Sequence, residues 1–215
     1  MDLICVSVEP SARNIQEGIK ILDNYAIYLR DNHDLERSTI LGIEGSAAKV
    51  YFQRLFFELS WERRRPRVKA DYVNCLLDIG YTVLFNFIDS LLRVYDFDSY
   101  KGVLHTCFYQ RKSLVCDLME PFRPLIDWRV RKAIRLNQFR KEDFVIIKDQ
   151  YQLDYKKTSD YVFVFMEDVL KAKEEIFIYM RAYYRAFMKG KNADEFPIYS
   201  MNDSKVIMEV MEEEL

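Results

Sequence analysis

Three carboxylates and one histidine stand in apolar stretches of the sequence, where a polar side chain needs a partner. Glu44 lies between Ile43 and a run of small residues, and His105 follows Gly-Val-Leu. Asp117 and Glu120 lie three residues apart in another apolar stretch, a spacing that places both on one face of a helix. Because carboxylates are rarely buried without a partner, these four residues are the candidates for chemistry.

The types and spacing of these residues are compatible with two interpretations. In the first, Glu120 forms a salt bridge with Arg123, Asp117 pairs with a nearby basic residue, and His105 is a hydrogen-bonded core histidine. In the second, two carboxylates and one imidazole form a ligand set for a divalent cation such as Mg²⁺ or Mn²⁺. The other histidine, His33, lies in a polar stretch and is predicted to be exposed.

Other kinds of active site find little support in the sequence. It contains no GxxxxGK[ST], GxGxxG, GxSxG or HExxH motif. A nucleophilic pair of Cys107 or Cys116 with His105 lacks the electropositive, exposed setting that a reactive thiol needs. With Cys5 and Cys75 these cysteines form no CxxC pair, and we interpret all four as small core residues in a reducing compartment.

The formal net charge is −2, but the charges are unevenly distributed. Residues 129–141 contain six Lys/Arg and no acid, residues 63–69 contain five Lys/Arg, and residues 203–215 contain five acids and one lysine. Either basic run alone could be a solvated helix face, whereas two runs flanking one apolar centre favour a nucleic-acid surface. The predicted DNA-binding residues are Arg63, Arg64, Arg65, Arg67, Lys69, Arg111, Lys112, Arg123, Arg129, Arg131, Lys132 and Arg135.

The elements that must position these residues are mainly helices. Only 6 Gly and 5 Pro occur in 215 residues, too few turn formers for a many-stranded sandwich or barrel. Apolar periodicity predicts helices over residues 11–30, 34–61, 70–95, 113–119, 129–138 and 159–189. A short strand is predicted at residues 3–8, and a hairpin at 144–148 and 151–155. The apolar run 73–92 carries too many polar side chains for a membrane span.

Four segments of the sequence, in this order, resemble motifs of the CRISPR-associated integrase, the enzyme of spacer acquisition. They are EGSAAKVYF from Glu44, RRP from Arg64 with NCLLDIGYT from Asn74, GVLH ending at His105, and SLVCDLMEPFRPL from Ser113. Each motif alone would be weak. Together they cover about residues 41–144 and make the resemblance specific.

The resemblance implies a helical integrase catalytic domain and a single Mg²⁺ or Mn²⁺ ion held by Glu44, His105 and Glu120. Asp117 would stand beside them or act as an alternate ligand. The implied reaction is an attack by the 3′-hydroxyl of a captured DNA fragment on a phosphodiester at the edge of a CRISPR repeat, with endonuclease activity on branched DNA. The basic runs would hold the DNA backbone.

Family members carry an N-terminal β-domain, whereas only 43 residues precede Glu44 here and these are mainly helical in pattern. We therefore expect a compact form in which this domain is absent or vestigial. The expected parts are an N-terminal segment (1–40), a helical catalytic domain (41–200) and an acidic tail (201–215).

We expect a protein of the prokaryotic cytoplasm without membrane contact, acting as a homodimer or homotetramer on DNA. A small second adaptation protein is a candidate partner, and whether the compact form needs it stays open. Two other functions stay open, a non-catalytic helical DNA-binding scaffold and a related mobile-element integrase or repair nuclease.

Overall fold

The computed structural model describes residues 10–32, 34–59, 61–106 and 109–199. The fold is mainly α with one two-stranded hairpin, as predicted. The predicted strand at residues 3–8, His33, Cys5, Cys107 and the tail 201–215 lie outside the described residues. The chain divides into two compact units, one up to Arg64 and one from Arg65; each is described by itself.

The first unit contains α1 (Pro10–Asp31) and α2 (Arg37–Leu55), followed by a short 3-10 turn at Phe57–Leu59. Helix α1 confirms its prediction, whereas α2 is shorter than the predicted 34–61. The helix begins only after Glu36, whose backbone is extended, and ends before Phe56. There the rings of Phe52, Phe56 and Trp61 pack together, with centroids 5.1–6.3 Å apart.

The second unit is built around α3 (Tyr72–Val94), which packs against the helices that follow it. Leu76, Leu77, Leu84 and Ile88 of α3 are fully buried. By length and composition alone α3 could span a membrane, but a core helix has the same apolar composition. The other helices of this unit are α4 (Ser113–Met119), α5 (Arg123–Arg135), α6 (Tyr155–Lys171) and α7 (Lys173–Met188).

Helix α5 starts earlier than the predicted basic helix 129–138. Pro124 lies in its first turn, where a proline is tolerated because the N–H that it lacks would have no partner within the helix. The proline therefore lies at the beginning of this helix. The helix ends at Arg135, and Asn137 follows with a left-handed φ of 54°, so Gln138 lies outside.

The predicted single helix 159–189 is two helices, α6 and α7, separated at Ala172. Helix α6 begins early because the Asp154 side chain accepts a hydrogen bond from the Lys156 amide (3.0 Å). Gly190 follows α7 with a φ of 60°, the left-handed conformation that glycine adopts readily after a helix.

The hairpin consists of β1 (Phe144–Ile147) and β2 (Gln150–Leu153), which pair antiparallel with Phe144 opposite Leu153. Lys148 and Asp149 form the turn, with φ of 51° and 59°. The turn is thus one residue earlier than predicted. The register is consistent with the buried ring of Phe144, which packs against the rings of Tyr72 and Tyr161.

Candidate active site

The loop that carries His105 is held by a single carboxylate, Asp117 of α4. Asp117 Oδ2 accepts hydrogen bonds from the amides of Val103 (2.5 Å) and Leu104 (3.1 Å), and Oδ1 accepts one from the amide of His105 (3.1 Å). Oδ1 also lies 2.5 Å from Nδ1 of the His105 ring. The partner of Asp117 is therefore the histidine loop, and not a basic residue.

This contact determines the chemistry of His105. An ionised carboxylate only accepts hydrogen bonds, so Nδ1 carries the proton and Nε2 keeps its lone pair when the ring is neutral. A carboxylate on the far nitrogen is the usual arrangement around a metal-binding histidine. The His105 side chain is 17% exposed and that of Asp117 is 8% exposed, which leaves the imidazole accessible while its support is buried.

Two further residues fix the same loop. The buried Ser113 hydroxyl, one helical turn before Asp117, donates to the carbonyl of Thr106 (2.8 Å). At Gly102 a Cβ atom would lie 2.4 Å from the His105 carbonyl oxygen and 2.8 Å from Asp117 Oδ2. Neither residue was assigned a role from the sequence. Both residues lie inside the quoted motifs, but a sequence motif does not show which atoms its residues contact.

Glu120 follows α4 directly and forms an ion pair with Arg123, with Glu120 Oε1 2.9 Å from the Arg123 guanidinium. The same guanidinium lies 5.2 Å from the ring centre of Tyr81, whose hydroxyl donates to the buried Asp127 of α5. The salt bridge weighed for Glu120 is therefore present, and it holds the carboxylate next to the α3–α5 contact.

Glu44 lies in the middle of α2 and is half-buried. It belongs to the first unit, whereas His105 and Glu120 belong to the second. Among the described residues, no group of three or more His, Cys, Asp or Glu side chains is placed to hold a metal ion. The donor chemistry nevertheless fits a divalent cation, because Asp117 leaves the His105 Nε2 lone pair available and Glu120 supplies a carboxylate.

The basic run 63–69 is anchored through its backbone. Asn74 and Asp78, one turn apart on α3, accept hydrogen bonds from the amides of Arg65 (2.7 Å) and Arg67 (3.1 Å). The carbonyl of Lys69 accepts one from the amide of the hairpin residue Tyr151 (2.9 Å). Of these three basic side chains that of Arg67 is exposed, whereas those of Arg65 and Lys69 are half-buried.

The run continues back into the first unit, where Arg63 is exposed and Arg64 is half-buried. The Arg63 guanidinium lies 3.6 Å from Glu62, and both side chains are more than 60% exposed. A surface pair of this kind contributes little to stability, so Arg63 remains accessible to a phosphate.

Only some side chains of the basic run 129–141 are exposed. Arg129 is buried and its guanidinium binds both carboxylate oxygens of Asp168 on α6, which is fully buried. Lys132 is buried as well. The prediction that these two residues contact DNA does not agree with their burial. Arg135 is exposed, and Arg131 stacks on Trp128 with 5.2 Å between guanidinium and ring centre.

A cavity of about 440 Å³ is lined by Arg67, Arg111 and Lys112 together with Phe85 and Tyr109. Three cations in one cavity agree with a surface for phosphate groups.

The ammonium of Lys112 is held by Asp89 of α3 at 2.7 Å, and Arg93 donates to the same carboxylate oxygen at 3.0 Å. Burial by itself would raise the pKa of the Asp89 carboxyl. The hydrogen bonds from Lys112 and Arg93 outweigh that effect and hold the pKa below its ordinary value. Asp89 thus fixes one wall of the cavity.

The sequence is similar to those of known proteins. A family model described as CRISPR associated protein Cas1 matches residues 7–166. The CRISPR-associated endonuclease Cas1 4 of Methanospirillum hungatei is 34% identical over 150 residues, which are 66% of this chain and 43% of that protein. The CRISPR-associated protein Cas1 3 of Methanobrevibacter ruminantium is 31% identical over 150 residues, 67% of this chain and 45% of that protein. The chain thus spans less than half the length of these relatives.

Solved structures share the fold. A Cas6-RT-Cas1–Cas2 complex superposes with a TM-score of 0.79 at 23% identity, covering 91% of this chain and 23% of that chain. A casposase bound to integration product gives a TM-score of 0.68 at 19% identity, covering 94% and 67%. Since the family model matches most of the sequence and includes all four candidate residues, the chain belongs to the CRISPR associated protein Cas1 family.

Proposed function

We propose that this chain carries the catalytic part of a metal-dependent DNA integrase of CRISPR adaptation, with endonuclease activity on branched DNA. The observation that carries the proposal is the His105–Asp117 pair, present within a sequence that matches the Cas1 family model. In the reaction, a 3′-hydroxyl of a DNA fragment attacks a phosphodiester in the CRISPR repeat. A new P–O bond forms, the old P–O3′ bond breaks, and the departing strand takes up a proton as a free 3′-hydroxyl.

His105, Glu120 and Glu44 would hold one Mg²⁺ or Mn²⁺ ion, as the resemblance of their motifs implies. When bound, such an ion supplies Lewis acidity for the scissile phosphate and its leaving oxygen. Asp117 keeps the proton of His105 on Nδ1 and sets the ring orientation, so we assign it as a positioning residue. Ser113 and Gly102 keep the loop in place around it.

The cations that remain accessible would hold the DNA on either side of the reacting phosphate. They include Arg67 and Arg111 at the 440 Å³ cavity, with Arg63 and Arg135 exposed elsewhere. Contacts of this kind bind phosphates and carry little sequence preference. DNA and a Cas2-type second adaptation protein are the proposed partners. Because one phosphodiester replaces another, positioning of the two strands would carry much of the rate.

The test is a strand-transfer assay with a labelled short duplex, a plasmid that contains a CRISPR repeat, and Mg²⁺ or Mn²⁺. We expect label to join the plasmid with the wild-type protein, and to be lost with His105→Ala, Glu120→Gln and Glu44→Gln. Glu174→Gln is the matched control, because Glu174 is an exposed acid in the first turn of α7.

Absence of transfer with tight DNA binding would favour the scaffold function instead, provided that adding a Cas2 protein does not restore transfer. Transfer that survives His105→Ala would contradict the proposed metal-ligand set.

A further inference from the structure

A basic face lies on the C-terminal half of α7, outside both basic runs noted in the sequence. Arg181, Arg185 and Lys189 follow each other at intervals of four residues and are all exposed. This spacing aligns them along one side of the helix, about 6 Å apart. Together with Lys191 and Glu195 they line a groove of about 290 Å³, and its apolar lining residues are Ile178, Ala182 and Ala186. We call Arg181, Arg185 and Lys189 the α7 basic face.

Acids are scarce around this face. Residues 176–193 contain four Lys/Arg and no acid, and the acids of α7 are confined to its first turn. Lys191 is paired with Glu195. With the residues that the structure describes, Arg185 and Lys189 form no ion pair, and Arg181 lies over the ring of Phe177 at 5.9 Å. Three positive charges of the face are therefore not neutralised by described carboxylates.

The helix dipole accounts for only part of this arrangement. Cations in the last turn stabilise the negative end of a helix, but the effect falls off within that turn. Arg185 is in the last turn of α7, whereas Arg181 stands seven residues before its final residue, Met188. A row of cations that extends beyond the last turn is suited to a row of anionic groups.

We infer that the α7 basic face binds the phosphate backbone of DNA, as a contact additional to those around His105. The inference rests on the proposed function, in which DNA is the substrate of the protein. Contacts to phosphate oxygens carry no sequence information, so we expect binding by this face to show little sequence preference. An acidic protein is the alternative ligand, and the experiment below distinguishes it from DNA.

The experiment measures binding of a labelled random-sequence duplex to the full chain between 50 and 200 mM salt. The variant R181A/R185A/K189A removes the face. Each lost phosphate contact lowers the slope of log K against log salt by about 0.9. We expect the slope to fall by about 2 to 3, with weaker binding throughout the range. R181Q/R185Q, which keeps good helix formers, is a second variant and should lower the slope by about 2.

The matched control is K156A/K157A/K171A, which removes three exposed lysines from α6 and changes the net charge equally. A slope change in the α7 variant no larger than in this control overturns the inference. Binding of poly-glutamate that is lost in the α7 variant, with an unchanged DNA slope, overturns it in favour of an acidic protein.

The strand-transfer assay separates this inference from the proposed function. Normal transfer by wild type with an unchanged slope overturns only the α7 contact. A slope that falls as expected, with no transfer by the wild-type protein even after a Cas2 protein is added, contradicts only the proposed chemistry.

Discussion

At the scale of the residue, the position of His105 in the candidate site is fixed by a small number of groups. Asp117 uses two oxygens to accept hydrogen bonds from three consecutive backbone amides and the imidazole. Every one of these donors would lose a charged acceptor if Asp117 changed. The carboxylate therefore couples the shape of the loop to the protonation site of the ring.

Asp117→Asn tests this coupling. One carboxylate oxygen becomes an NH₂ group, which cannot accept and would face N–H donors. We expect strand transfer or branched-DNA cleavage to fall by roughly 10- to 100-fold, and the free energy of unfolding to fall by about 1–3 kcal/mol. The assays are reaction rate and urea unfolding, with Asp160→Asn on the exposed side of α6 as the control. Wild-type activity in Asp117→Asn would contradict the positioning role.

Gly102→Ala tests the close packing of the same loop. The added Cβ would lie 2.4 Å from the His105 carbonyl oxygen and 2.7 Å from Ser113 Cβ, closer than atoms pack. We expect a loss of about 1–3 kcal/mol in urea unfolding. Gly42→Ala is the control, because no atom of the described residues lies within 4 Å of its Cβ position, apart from its chain neighbours and the adjacent backbone of α2. It should stabilise the protein by about 0.5–1 kcal/mol, and an equal response at the two glycines would contradict the packing argument.

At this scale the sequence predicted the candidate residues and the local pair of Glu120 with Arg123, but not the contacts between residues that lie far apart in the chain. Arg129 shows why. Arg129 lies in a basic run that contains no acid, yet its partner Asp168 lies 39 residues further along the chain. Only the packing of α5 on α6 brings the two together, so local charge patterning predicted a DNA contact where the structure has a buried ion pair.

At the scale of the element, that buried pair ties α5 to α6 beside the hydrophobic core. Removing one partner leaves an uncompensated buried charge, which typically costs about 3–5 kcal/mol. We expect this loss in urea unfolding for Arg129→Met, and a smaller loss for the double variant Arg129→Met/Asp168→Leu than for the sum of its single variants. If the losses simply added, the two side chains would not be coupled.

Asp89 makes a pH-dependent link between α3 and the start of α4. Its pKa is lowered in the folded protein, so its contribution to stability is present above the unfolded pKa of about 3.9 and is lost as pH falls through the lower folded value. Asp89→Asn should therefore be less stable than wild type at pH 6, and the difference should shrink towards pH 3. Urea unfolding at the two pH values measures it; a constant difference would contradict the ion pairs with Lys112 and Arg93.

Element boundaries were predictable where local chemistry marks them. Asp71, whose side chain accepts from the Asn74 amide at 2.7 Å, begins α3 within two residues of the prediction. The break at Ala172 could not be predicted, because neither Gly nor Pro marks it. Buried residues continue across it at helical intervals, at Phe165, Val169, Ala172, Ile176 and Met180, so periodicity alone indicated one continuous helix.

At the scale of the whole molecule, the question is whether Glu44 of the first unit binds the same metal ion as His105 of the second. The resemblance implies that it does, and a ligand that binds only the folded protein stabilises it by RT ln(1 + [L]/Kd), about 2.7 kcal/mol at 100 times Kd. Mn²⁺ should accordingly raise the melting temperature of the wild-type protein. The rise should be lost in His105→Ala and in Glu44→Gln, and kept in Glu174→Gln. A rise that disappears in His105→Ala but persists in Glu44→Gln would limit the metal ligands to the second unit. Equal loss in both would mean that one ion stabilises the fold through residues from either side of Arg64.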